Sequence, residues 1–554
     1  MKSRKAVAVA LLFLSSTIFA QSVSVISGKL LGHDGKPMRK AQVEVFYTQQ
    51  PGKAATTAPA DAQGDFTLRF EHTGLLSLRC VGVNHYQHMI PLWIEPPVHE
   101  KLTVRLRLYE YVDDFSEVRI LGDFNEYDFN SAEPMARQSD GTYVFETETE
   151  ADTFAYQLLG VEKTERSING TQSDDWVYDN GGDYRSVVKV TNKKVKVVFD
   201  PAKLPRGKPG DEVLVRFDSP NSFSSRFYVL HDEQAKRREQ YSRTYEAFEN
   251  AHGDESEGFT FDWKPALAAL KQQLSEEKNP NLRQVLLLDA LEIGSMNGRE
   301  ALDIKLITQA FAEISPTCPL WSNKPWLLSE STSWLNDEIK QDKYLNQVLA
   351  QHPDRRLCAN ILMSWLAKAD DKDDTTKAKT FYDRLMADFA DTQEAMWART
   401  QYNPDRAIKK GKKLPAFAIA ALEQNGASYN NDSMKGKIYL LDFWAVWCGP
   451  CIGEMPALHA AYEKFHNKNF EILSLSFDPK PEDVSKFRTK KWKMPWRHAF
   501  VKGGFRSELA QSFEVMGIPK PILIDGSTNT ILATENELRG EKLEQTLARV
   551  LAKP

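Results

Sequence analysis

The chain has 554 residues, too many for one hydrophobic core and enough for about three or four domains. Its 42% hydrophobic and 11% aromatic content excludes wholesale disorder. A formal charge of −5 is far from the basic excess of a nucleic-acid binder, so no nucleic-acid partner is expected.

Residues 1–20 read as an export signal. Lys2, Arg4 and Lys5 precede the apolar run AVAVALLFLSSTIFA, and Ala20 offers a small residue before cleavage at Gln21. The run is short for a bilayer span, and no cysteine stands at the cleavage point for a lipid anchor. A periplasmic or otherwise exported protein is expected. Five cysteines are few for such a chain, so disulfides are not its main support. Cys448 and Cys451 are one close pair. Of Cys80, Cys318 and Cys358 at least one must stay unpaired within the chain; Cys318 and Cys358 read as a bridge or as small buried hydrophobes.

Residues 21–110 are short strands with turn punctuation, among them SVISGKLL, AQVEVFY and DFTLRF. Gly28, the turn Asp34–Gly35–Lys36–Pro37, Ala41 and the pattern Asp61, Gly64, Phe66 resemble the carboxypeptidase-regulatory-like β-sandwich. That resemblance implies a fold and no chemistry. His85 and His88 are too isolated to argue for a metal.

Residues 111–217 are again strand-like. Gly122–Asp123–Phe124–Asn125 and the strand GTYVFETE resemble the immunoglobulin-like, glycogen-binding module of branching enzymes. Tyr127 stands where that family has a tryptophan, and Trp176 offers a second ring. Aromatic faces stack on sugars, so a glycan partner is one reading; packing at strand spacing is the other.

From 218 to 405 the period changes to helix, as in EQAKRREQYSRTYEAFENA, PALAALKQQLSEE, LRQVLLLDALEIGSM and TTKAKTFYDRLMADFA. Trp321, Trp326, Trp334, Trp365 and Trp397 are expected to pack between these helices. No repeat of fixed period is evident.

The basic IKKGKKLP (408–415) opens the last segment, 406–554, in which strands and helices alternate, an α/β pattern. The apolar strand IYLLDFWA runs into WCGPC and then into the helix IGEMPALHAAYEKFH. A zinc site needs two more ligands, and His459 and His466 lie too far along the helix to close one. A static staple over so short a loop would constrain the unfolded chain little. Redox chemistry fits better. Strand, CxxC and helix place Cys448 at a helix N-terminus, where unpaired amides favour a thiolate, and Cys451 one turn on.

Residues 406–554 resemble the thioredoxin-fold domain of the TlpA/ResA type, exported thiol–disulfide oxidoreductases. The likeness runs through KGKIYLLDFWAVWCGPCIGEMPAL (435–458) and GIPKPILID (517–525). It implies that Cys448 attacks, that Cys451 resolves, and that Pro519, preceded by Ile518, is a cis proline facing the dithiol and binding substrate backbone. Asp442 takes the place of a buried acid that accepts the proton of Cys451; a polar residue at a strand end is the other reading. Glu454 matches a glutamate that tunes the thiols or is solvated. Trp444 and Trp447 are expected to cover the site, Gly449 and Pro450 to set its turn, and Pro456 to kink the helix. Gly-Pro between the cysteines implies a reductant or exchanger, supplied with electrons by a membrane thiol donor.

The expected architecture is multidomain: two N-terminal β-sandwich modules (21–110 and 111–217), an all-α middle domain (218–405) and a C-terminal α/β thioredoxin-like domain. The function read from it is reduction or exchange of disulfides in envelope proteins, with the Cys448–Cys451 pair as redox centre and no cofactor or metal. The alternative is an envelope glycan- or protein-binding scaffold with an accessory thioredoxin domain.

Overall fold

The computed structural model describes residues 23–552 except 39, 49–51, 96, 112–114, 162–172, 174, 209, 253–257, 373 and 423–426. The export segment expected at 1–20 lies outside the described residues. The chain divides into two compact units, one up to Asp354 and one from Arg355.

In the first unit, strand Ser24–Leu31 alternates buried and half-buried residues, the period-2 pattern of a sheet with one face on a core. It joins a four-stranded sheet in the order Leu214–Phe217, His99–Arg105, Ser24–Leu31, Asp65–Phe70. A second sheet orders Thr56–Pro59, Ala41–Tyr47, Gly74–Gly82, His88–Ile94. Ile26, Leu30, Val43, Val45, Leu78 and Val104 fill one shared core. Gly28 has a packing reason: a Cβ there would lie 1.8 Å from the carbonyl oxygen of Leu102 on the paired strand. Strand Leu214–Phe217 thus completes the first sheet, although in sequence it ends the 111–217 segment.

Five- and three-stranded sheets follow, around a core that includes Phe145, Phe154, Tyr156 and Phe199. The edge strand Asp175–Tyr178 faces the preceding sheets: Tyr178 donates its hydroxyl to Glu44 at 2.9 Å, and Lys40 pairs with Asp175 at 2.8 Å. Of the two rings considered for sugar stacking, Tyr127 is engaged within the protein. Tyr127 is covered by the Arg185 guanidinium at 3.7 Å, and the Trp176 indole nitrogen is buried.

The helical region begins with the 30-residue helix Phe223–His252 and continues through Lys264–Glu276, Pro280–Asn297, Ile304–Glu313, Pro325–Ser333 and Glu338–Gln351. Trp321 and Trp334 are buried as expected, but Trp326 is 49% exposed, on the outward face of its helix. Cys318 is a free, buried thiol and Cys80 likewise, both behaving as small hydrophobes.

The second unit holds the helices Arg355–Asp371, Thr375–Asp388 and Gln393–Gln401 and then the α/β domain. Trp397 is 52% exposed, a second departure from the packing expected for the tryptophans. The five-stranded sheet has the order Arg497–Phe500, Phe470–Ser476, Ile438–Trp444, Lys520–Asp525, Thr530–Ala533. The first three strands are parallel and the last two antiparallel to their neighbours. Strand Ile438–Trp444 is central and covered on both faces, which is why its sequence is a continuous apolar run. Its C-terminal end delivers the chain to the CxxC segment.

Candidate active site

Cys448 and Cys451 form a disulfide. Cys448 caps the short helix Gly449–Gly453, and its sulfur accepts the amide hydrogen of Cys451 at 3.2 Å. Pro450 lies in the first turn, where its missing amide has no partner to lose. Glu454, in helical conformation, links this turn to the helix Met455–Phe465, with Pro456 in that helix's first turn. The kink expected at Pro456 is therefore a division into two successive helices.

The Ile518–Pro519 bond is cis. The Ile518 carbonyl oxygen lies 3.7 Å from Cys448 Sγ, so the two segments, 70 residues apart, meet at the sulfur. Around Gly449 and Gly517 a Cβ would meet nothing within 4 Å, so open space borders both. Trp447 is 55% exposed and its ring centre is 6.4 Å from that of Phe505, itself exposed, as is Met516 just before the Gly-Ile-Pro turn. Trp447 and Phe505 thus form an exposed aromatic pair next to Cys448, and Met516 is an exposed apolar side chain two residues before Ile518. Trp444 does not cover the site: it is buried and packs on Phe487 at 5.5 Å. Two residues separate the two tryptophans, and the strand ends at the first, so one faces the core and the other solvent.

Asp442 is buried within the central strand, and desolvation pushes its carboxyl up to about 6, helped by the charge of Glu454. A hydrogen bond from Ser474 Oγ at 2.8 Å opposes that rise. Ser474 is the register partner of Asp442 on the adjacent parallel strand, and its oxygen also accepts from Trp496 Nε1 at 2.9 Å. Trp496 packs on His459 and Tyr462 of the Met455–Phe465 helix, at 4.9 and 5.5 Å. The chain of hydrogen bonds therefore lies on the sheet face that carries the Met455–Phe465 helix, which follows the redox helix Gly449–Gly453.

Glu454 is not a freely solvated side chain. Arg539 Nε donates to it at 3.0 Å and the Gly540 amide at 2.7 Å, tying the redox helix to the start of the last helix, Glu541–Leu551. Glu454→Gln is expected to lower stability by about 1 kcal/mol, the scale of a partly exposed charge-assisted contact, and to shift the Asp442 titration downward by removing a like charge. Urea melts and a carboxyl titration check the two effects separately.

Sequence reasoning missed Ser474, Trp496, Arg539 and also Asp478. The Asp478 carboxylate accepts the Val446 amide at 3.0 and 3.2 Å and the Ser476 hydroxyl at 2.8 Å, which fixes the backbone just ahead of Trp447 and Cys448. Burial raises its carboxyl above the usual range. One signal was present: polar Ser474 and Ser476 inside a fully buried strand demand partners. Among the described residues no group of three or more His, Cys, Asp or Glu is placed to hold a metal ion.

A family model described as thioredoxin-like matches residues 436–531. The chain is 31% identical over 149 residues to the thiol-disulfide oxidoreductase ResA of Bacillus cereus, covering 27% of this chain and 83% of that protein. It is 40% identical over 109 residues to tryparedoxin of Trypanosoma brucei brucei, covering 19% of this chain and 74% of that protein. Among solved structures, the thioredoxin domain of a thiol-disulfide oxidoreductase from Bacteroides vulgatus is similar at 31% identity and a TM-score of 0.24, over 26% of this chain and 98% of that one.

Proposed function

Because the chain belongs, through its C-terminal domain, to the thioredoxin-like thiol-disulfide oxidoreductases of the ResA type, we propose that Cys448 and Cys451 are its working dithiol. On this reading it reduces or exchanges disulfides in exported proteins. The single observation that carries the assignment is the meeting of Cys448 Sγ with the Ile518 carbonyl beside cis Pro519, at the start of a helix.

In the reduced protein the helix start favours the Cys448 thiolate. That thiolate attacks one sulfur of a substrate disulfide; the other substrate sulfur leaves and is protonated. Asp442 takes the proton of Cys451, whose sulfur then attacks Cys448 and releases the second substrate thiol. Two electrons have passed to the substrate, and the Cys448–Cys451 disulfide is left. Ile518 and Pro519 pair with the substrate backbone, Gly449 and Pro450 leave room for it, and Trp447 contacts its apolar side chains.

A membrane thiol donor returns the electrons, and residues 1–20 direct export. Among the described residues no helix is long and apolar enough to cross a membrane. The segments 21–110 and 111–217 act as carboxypeptidase-regulatory-like and immunoglobulin-like modules that present the redox domain. The Arg185 guanidinium over the Tyr127 ring favours this role over sugar binding.

Equilibration of the protein with glutathione redox buffers tests the direction of transfer. A reductant is expected to give a potential near the thioredoxin value of about −270 mV, and a value near the about −120 mV of a strong oxidant contradicts it.

A further inference from the structure

We infer that Ser474 and Trp496 are positioning residues for Asp442: a one-way hydrogen-bond chain, Trp496 Nε1–H to Ser474 Oγ and Ser474 Oγ–H to Asp442 Oδ2, holds that carboxylate oriented and ionised. The inference rests on the reading of Asp442 as the proton acceptor of the dithiol.

The direction of the chain follows from donor chemistry. An indole N–H only donates, so at 2.9 Å the Ser474 oxygen must accept from Trp496. A hydroxyl has one hydrogen, and with its oxygen so engaged that hydrogen points to Asp442 Oδ2 at 2.8 Å. Asp442, Ser474 and Trp496 are all 5% exposed or less, so water does not substitute for a lost partner. The indole N–H also polarises the hydroxyl and strengthens its donation, by about 10–30% per bond in such chains. Strand register supplies the geometry, because Asp442 and Ser474 are direct partners in the parallel ladder.

The surrounding titratable groups leave this chain as the main support of the charged form. Glu454, at the C-terminal end of the redox helix, repels it. Burial depresses His459 on the next helix, and His498 on the far strand is pushed down to about 3, so neither is a cation near neutral pH. Glu471, on the strand of Ser474, is paired with Lys437 at 3.4 Å and Arg497 at 3.0 Å. Lys520, beside Pro519, donates to the Glu514 carbonyl at 2.9 Å.

The test is a carbon-13 NMR titration of the Asp442 carboxyl in the oxidised full-length protein, where Cys448 and Cys451 do not titrate. Ser474→Ala is expected to move the midpoint up by about one pH unit, the scale of one hydrogen bond to a charged group. Trp496→Phe keeps the ring against His459 and Tyr462 and removes only the N–H. It is expected to move the midpoint the same way by about a few tenths of a unit. Midpoints unmoved in both variants, or moved down, overturn the inference and make the pair packing alone; if Ser474→Ala does not fold, Trp496→Phe decides. The readout is independent of turnover. A midpoint that moves while the pH–rate profile of disulfide reduction stays in place supports the chain and removes Asp442 from the reaction.

Discussion

Cys448→Ser is expected to lose on the order of 10³-fold or more of disulfide-reducing turnover while folding almost as stably as the wild type. The attacking group must be ionised near neutral pH, and a serine hydroxyl is not. Cys451 does not replace it, being the more buried sulfur and one turn into the helix. Stability changes little because the two cysteines are only three residues apart, so their bond removes little entropy from the unfolded chain. Turnover of a model disulfide and thermal melts of the same preparation separate the two effects. Retained turnover in this variant contradicts the assignment.

Asp442→Asn carries the second large effect, and it has opposite signs for stability and chemistry. The carboxyl titrates near 3.8 when unfolded and at about 6 when folded. Between those values the folded state binds more protons, so the stability this residue contributes falls as pH rises from about 3.8 to about 6. Above that window the full cost stands, about 3 kcal/mol for a rise of this size. Asparagine removes the buried charge and still accepts from Ser474. The variant is expected to be more stable than wild type by up to about 3 kcal/mol at pH 7.5, with the gain gone by about pH 4. It is also expected to release the mixed disulfide more slowly, since no carboxylate takes the proton of Cys451. Urea melts at the two pH values check the first, and single-turnover release kinetics the second. A variant less stable at pH 7.5 would show that the charge-assisted bond from Ser474 outweighs desolvation.

The site was legible in the sequence where its parts are local. A strand, CxxC and a helix are contiguous, and the Gly-Ile-Pro turn carries its own signature, so Cys448, Cys451, Ile518 and Pro519 emerge together. What supports them was hidden because it comes from register. Ser474 meets Asp442 across a parallel ladder, Trp496 arrives from the next strand segment, and Arg539 reaches Glu454 from 85 residues away. Trp444 and Trp447 looked alike because a strand buried on both faces gives no alternation to tell inside from outside. At the level of the fold, the change from strand to helix near residue 220 was readable from periodicity. The return of Leu214–Phe217 to the first sheet was not, since four residues carry no record of which strand they pair with. Nor was the grouping of the helices from Arg355 onward with the α/β domain.

The most direct measurement of the central claim is mass spectrometry of Cys451→Ser after exposure to disulfide-bearing exported proteins. With the resolving sulfur gone, the account predicts a covalent adduct on Cys448 that dithiothreitol releases and that Cys448→Ser/Cys451→Ser lacks. An adduct mapped to another cysteine, or none at all from a folded protein, would contradict it.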